Sequence, residues 1–221
     1  MTDLKQRYTN IVKQVYENTL REAKYQRVGT NCYRSVSPNI MHIVNFQKSI
    51  SSDAHKVSFT VNLGVYRKGV QALLMPEYPE PRRPSIIHCM IAERLGRLMP
   101  AGLDQWWEIT DTSDQHHDNL VAGELSALLN NYGLPFLSIF ESDEAILQHV
   151  LIQLSPQYPL LETIRAAALA CILQRRDTAS HLLGIALVKA ESADNDWVEY
   201  VLRIANQCSI EIGETAKNLK V

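Results

Sequence analysis

The sequence lacks the short motifs that usually announce a chemistry. It has no Cys-x-x-Cys pair, no glycine-rich phosphate loop, no Gly-x-Ser-x-Gly elbow and no His-Glu-x-x-His helix. "NLGVY" (62–66) is not a phosphate loop. Catalysis therefore ranks below binding. Long apolar runs are missing too. The richest, "AAALACIL" (166–173), falls far short of the ~20 residues that span a bilayer and is flanked by Arg165 and Arg175-Arg176. The opening "MTDLKQRYTN" lacks the apolar core of a signal peptide, so a cytoplasmic location and no membrane partner are expected. Cysteine is sparse: Cys32, Cys89, Cys171 and Cys208 are scattered without metal-type spacing. Free thiols, no metal and no cofactor are the expectation.

What is present is an ordinary globular composition. The 221 residues are 46% hydrophobic and 21% charged, enough for a full core and not disordered. The net charge of −2 conceals a split. Residues 1–110 carry 15 Lys and Arg against 9 Asp and Glu; residues 111–221 carry 7 against 15. Complementary halves offer a basic face to a partner, a docking surface to each other, or a head-to-tail homo-oligomer. Solvated charge divided by chance explains the split equally well.

Residues 3–24 repeat apolar side chains at helical spacing, from Leu4 and Tyr8 through Ile11, Val12 and Val15 to Leu20. Gly29 ends that segment before a strand near 30–36, and "SPN" (37–39) is turn chemistry. Val57, Phe59, Val61, Leu63 and Val65 alternate strictly and share one face of a strand. Ile40, Val44 and Phe46 do so in the strand before it. Pairing 46 with 59 and 44 with 61 puts both apolar rows on one side. The other side then carries Asn45, Gln47, Ser58, Thr60 and Asn62. Residues 69–84, with four prolines, read as a loop. "IIHCMIAERLGRLMPAGL" (86–103) fits a helix or a strand, and "DQWWEIT" (104–110) a strand. Thr112 or Ser113 caps a helix to about 131, and Ser142 starts another. Helices follow near 159–174, 177–190 and 195–211, the first two Ala- and Gly-rich like a helical hairpin. The fold class is α+β: an antiparallel sheet against an N-terminal helix over 1–132, then an all-α region over 133–221.

Three segments, "IVNFQKS" (43–49), "FTVNLGVY" (59–66) and "RLGRLMPAGLDQWWEI" (94–109), resemble a bacterial family of domains of unknown function, DUF4304. The resemblance spans about residues 5–150. It implies a small α+β domain with an antiparallel sheet backed by helices, and it implies no reaction.

The leading site candidate is the polar sheet face, represented by Asn45, Gln47, Thr60 and Asn62. Amides offer donors and acceptors together, which suits peptide backbone or a polar ligand. The plainer explanation is a solvated face, or amides bonded across strands. Arg82 and Arg83 belong to a basic group with Arg67, Lys68, Arg94 and Arg97 that suits an acidic protein. A scatter of solvated arginines suits it better still. A pI of 6.4 and the lack of interleaved aromatic and basic residues argue against nucleic acid. Trp106 and Trp107 point to opposite faces of a strand; one is core, and Trp106 is the candidate anchor. His42, on the apolar strand face, reads as a core histidine. In "DQHHDN" (114–119), adjacent His116 and His117 do not share a helix face, and the acidic residues suit a helix N-terminus. The expected function is non-catalytic: recognition of another protein, in the manner of bacterial immunity proteins. The alternative is a hydrolase or transferase with a site near His88 and Cys89 or in the 114–118 cluster.

Overall fold

The computed structural model describes residues 4–155, 157–193 and 195–212. Met1–Tyr66 with Pro84–Glu141 forms one compact unit, and Arg67–Arg83 with Ser142–Val221 forms another. No helix among the described residues is long and apolar enough to cross a membrane.

The first unit begins with helix α1 (Leu4–Val15), which runs on through a π-helical turn, Tyr16–Leu20. Six antiparallel strands follow: β1 (Gln26–Val28), β2 (Asn31–Ser35), β3 (Ile40–Lys48), β4 (Lys56–Arg67), β5 (Ile91–Arg94) and β6 (Trp107–Thr110). Their order is β1-β2-β3-β4-β5, with β6 also paired to β4. Gly29, at φ 63°, turns β1 into β2 in a backbone region that glycine enters without strain. Helix α3 (Gln115–Leu128) packs on α1. Its N-cap is Asp114, which accepts the His117 backbone N–H, rather than Thr112 or Ser113. Asp114 wins because its carboxylate reaches the orphan N–H and also meets the helix dipole.

The alternating apolar rows of β3 and β4 are buried and form the core, with α1 laid over them. Tyr8 of α1 packs edge-on against Phe59, 5.1 Å between centroids, and its hydroxyl donates to Phe46 O at 2.7 Å. Each fully buried side chain of this size contributes ~2 kcal/mol of transfer free energy. Arg7 is buried as well, because it meets Asp118 of α3 in a two-pronged ion pair. Its remaining N–H groups donate to Thr110 O and Ser113 Oγ. His42 lies in the same core, 0% exposed, with its Nε2 donating to Phe140 O at 3.0 Å.

The opposite face of the sheet is divided. At one end Ile43, Tyr66 and Cys89 form an apolar cluster. Chain 86–89 lies so close there that a Cβ on Gly64 would stand 2.5 Å from Cys89 Sγ. The segment 86–99 is neither one helix nor one strand. It forms a 3-10 turn (Ile86–His88), then β5, then a second 3-10 turn (Leu95–Leu98). The polar residues occupy the other end of the face.

The second unit holds α2 (Val70–Leu74), the proline-rich segment and four helices: α5 (Asp143–Gln153), α6 (Leu160–Ile172), α7 (Arg176–Glu191) and α8 (Asn195–Gln207); α4 (Leu134–Ser138) belongs to the first unit. Ser142 caps α5, accepting the Ala145 N–H. Buried alanines of α6 and Ala179, Gly184 and Ala186 of α7 let these helices approach closely. Arg67 and Asp143 make a second two-pronged pair, 2.9 Å in each bond. The expectation of free thiols fails for two of the four cysteines. Cys171 at the end of α6 and Cys208 just past α8 are disulfide-bonded, their Cα atoms 5.8 Å apart. Both helices pack beside α7 and α2, which brings together two cysteines 37 residues apart. Cys32 and Cys89 are free and buried.

Candidate functional site

The amides of the polar end are wired into one row. Asn31 stands opposite Asn45 in the β2–β3 ladder, and Asn62 opposite Arg94 in the β4–β5 ladder. Asn45 Nδ2 donates to Asn31 Oδ1 at 2.8 Å. Asn62 Nδ2 donates to Asn45 Oδ1 at 3.0 Å and to Gln47 Oε1 at 2.8 Å. The hydrogen-bonded row therefore crosses three strands, from Asn31 on β2 to Asn62 on β4, and Arg94 of β5 stands opposite its end. Sequence alternation alone brought Asn45, Gln47 and Asn62 together; Asn31 joins them through a hairpin register that the sequence pattern did not reveal.

Spending both Asn62 hydrogens fixes that amide's orientation, since a flipped group would set oxygen against two oxygens. Among the described residues, Asn62 Oδ1 and the side-chain nitrogens of Asn31 and Gln47 have no hydrogen-bond partner. Gln47 is exposed, and Asn31 and Asn45 are half-buried. Asn62 is only 6% exposed. Ser58 is buried to a similar degree, and Thr60 lies deeper: it is 0% exposed, and its hydroxyl holds down the loop by donating to Gln105 O at 2.9 Å.

Beyond Asn62 the row opens into a shallow cleft of about 320 Å³, lined by Asn62, Ile86, Ala92, Glu93, Arg94 and Arg97. Arg94 pairs with Asp104 and lies 5.2 Å over the ring of Trp106. Trp106 is half-buried, and its Nε1 donates to the same Asp104 at 3.3 Å. Trp107 is the core member of the pair, packed near Phe59. Glu93 Oε1 accepts the Arg94 backbone N–H at 2.8 Å. Arg97 stands exposed on the turn after β5. That turn is seated tightly, because a Cβ on Gly96 would lie 2.5 Å from Gln105 N. Arg94 and Arg97, read in the sequence only as part of a basic scatter, are the cations that the fold brings to the amides. Arg82 and Arg83 are exposed and belong to the second unit.

The alternative catalytic positions have structural occupations. His88 Nδ1 accepts the Ser85 N–H at 3.0 Å, and Cys89 is buried in the apolar cluster. Asp118 is committed to Arg7, and His117 Nε2 donates to Glu108 O at 2.9 Å. Near them, exposed His55 bonds Asp111 at 2.7 Å, which raises its pKa. Burial pushes the Cys32 thiol up to about 12, far from a nucleophile's range. Among the described residues no cluster of His, Cys, Asp and Glu is arranged to hold a metal.

Residues 16–139, which contain the sheet, the amide row and the cleft, match the family model described as domain of unknown function (DUF4304). No curated protein and no solved structure matches the chain significantly.

Proposed function

The chain belongs to the DUF4304 family, and we propose that it is a non-catalytic recognition module of the bacterial cytoplasm, binding another protein in the manner of an immunity protein. The observation that carries this reading is the amide row, which presents unspent donors and an unspent acceptor along a partly open sheet face. Such a row matches the alternating N–H and C=O groups of an extended partner segment. Asn31, Asn45, Gln47 and Asn62 supply the polar contacts, and Trp106 supplies a rim aromatic held in place by Arg94 and Asp104. Arg82 and Arg83 add attraction for an acidic partner and speed the encounter more than they strengthen the complex. One observation pulls against the cytoplasm: the Cys171–Cys208 bond is of a kind that reducing compartments seldom keep.

The test uses immobilised full-length protein and its Asn45→Ala/Gln47→Ala variant, each exposed to lysate of the source organism with and without nuclease. A protein retained by the wild type in both arms and lost by the variant supports the reading. Retention that vanishes with nuclease, or that ignores the variant, overturns it.

A further inference from the structure

The bonded cysteines of the second unit differ from the free ones in exposure. Cys171 and Cys208 are half-buried, whereas Cys32 and Cys89 are 0% and 1% exposed. A thiolate that attacks the Cys171–Cys208 bond therefore comes from another molecule, and it finds sulfur within reach. The bond also holds little of the fold. The middle of α8 is fixed without it: Val201, Ile204 and Ala205 are buried, and Tyr200 Oη and Arg203 Nη2 donate to Leu74 O at 3.3 and 3.0 Å. Past Gln207 the anchors are few. They are the disulfide, the Arg176 Nη2 bond to Ser209 O at 2.6 Å, and the buried Ile210. Ser209 sits at φ 53°, a left-handed conformation that disfavours serine. Ser209, Ile210 and Glu211 form one wall of a cleft of about 310 Å³ whose other wall is Arg176, Asp177 and Ser180 of α7.

We propose that Cys171–Cys208 is a reversible thiol switch. A dithiol opens it in the folded protein, residues 208–212 let go, and the start of α7 is uncovered. The incoming thiolate bonds to one of the two sulfurs, the Cys171–Cys208 bond breaks, and the other cysteine leaves as a thiolate. The second thiol of the reductant then attacks the mixed disulfide and frees the first cysteine. Two electrons pass to the protein, the reductant departs as its own disulfide, and its two protons end on the cysteine sulfurs. Strain at Ser209 favours release once the bond is open, while the packed middle of α8 keeps the cysteines near enough to close it again. The switch accords with the proposed cytoplasmic location, where disulfides are chiefly transient and redox-sensing. It is independent of the amide row: either can fail while the other stands.

The test treats the folded full chain with graded mixtures of reduced and oxidised dithiothreitol. Alkylation and mass spectrometry give the fraction open, and hydrogen exchange gives the local response. The bond should open without denaturant and with the far-UV circular dichroism unchanged. The amides of Cys208 and Ile210, which donate to Ile204 O and Ala205 O, should then exchange about tenfold faster or more. Those of 200–205 should change by less than about twofold, and oxidised dithiothreitol should restore the original rates. A Cys171→Ser/Cys208→Ser variant should show the fast pattern with or without reductant. Reduction that requires unfolding overturns the proposal and makes the bond a permanent staple. So does opening that leaves Cys208 and Ile210 protected, and so does faster exchange throughout α6, α7 and α8.

Discussion

Arg7 and Asp118, 111 residues apart, meet in a buried two-pronged ion pair at 2.8 and 2.7 Å that ties α1 to α3. Removing one partner strands a charge in the core. Asp118→Ala should cost about 3–5 kcal/mol, read as a lower urea midpoint. An Arg7→Met/Asp118→Leu double variant should recover most of that loss, because no buried charge is then left unanswered.

Asn62 holds the middle of the amide row. Asn62→Asp replaces its two donors with a carboxylate oxygen facing Asn45 Oδ1 and Gln47 Oε1. The variant should lose about 2–3 kcal/mol, and more above the new carboxyl's pKa than below it. Asn45→Ala should cost less, since the site is half-buried and water can replace the amide. Denaturant titrations of both variants at two pH values decide the order.

His42 should make the fold sensitive to acid. Burial is the main cause that lowers its pKa below 6.5. Arg34 lowers it further, while the Phe140 carbonyl and Glu141 pull the other way. The unfolded chain then binds a proton near pH 6.5 that the folded chain refuses, so stability is full above that pH and falls as the pH drops below it. His42→Gln should flatten this part of the profile of unfolding free energy against pH. A wild-type profile without a fall below pH 6.5 would contradict the assignment.

Gly96 offers a test of packing. A Cβ there would meet backbone atoms, Gln105 N at 2.5 Å and Leu103 O at 2.7 Å, which cannot swing aside as a side chain end does. Gly96→Ala should destabilise the chain by about 1–3 kcal/mol, seen as a lower melting temperature. Gly123→Ala, with nothing near its added Cβ, should be neutral or slightly stabilising.

The cysteine pattern predicts a thiol count. Unfolded without reductant, the protein should show two titratable thiols, Cys32 and Cys89, and four after reduction. Opening the 37-residue loop should cost about 3–4 kcal/mol by the chain-entropy estimate.

The local patterns were legible in the sequence. The stripe from Leu4 to Val15 marked α1, strict alternation marked β4 and its buried row, and Ser142 marked the start of α5. Each depends on a period that neighbouring residues repeat, so α+β class and the sidedness of Asn45, Gln47 and Asn62 could be read directly. What the tertiary structure decided rests on contacts between distant residues. Thr60 belongs to the polar side by alternation, yet only the fold shows the Gln105 loop closing over it. Segment 86–99 carries mixed signals because its short strand exists only by pairing with β4. Asn31 and Arg94 reach the amide row through ladder registers, and Cys171 finds Cys208 through helix packing. Spacing along the chain encodes which face a residue takes; which residues share that face with it is set by long-range packing, where no sequence period runs.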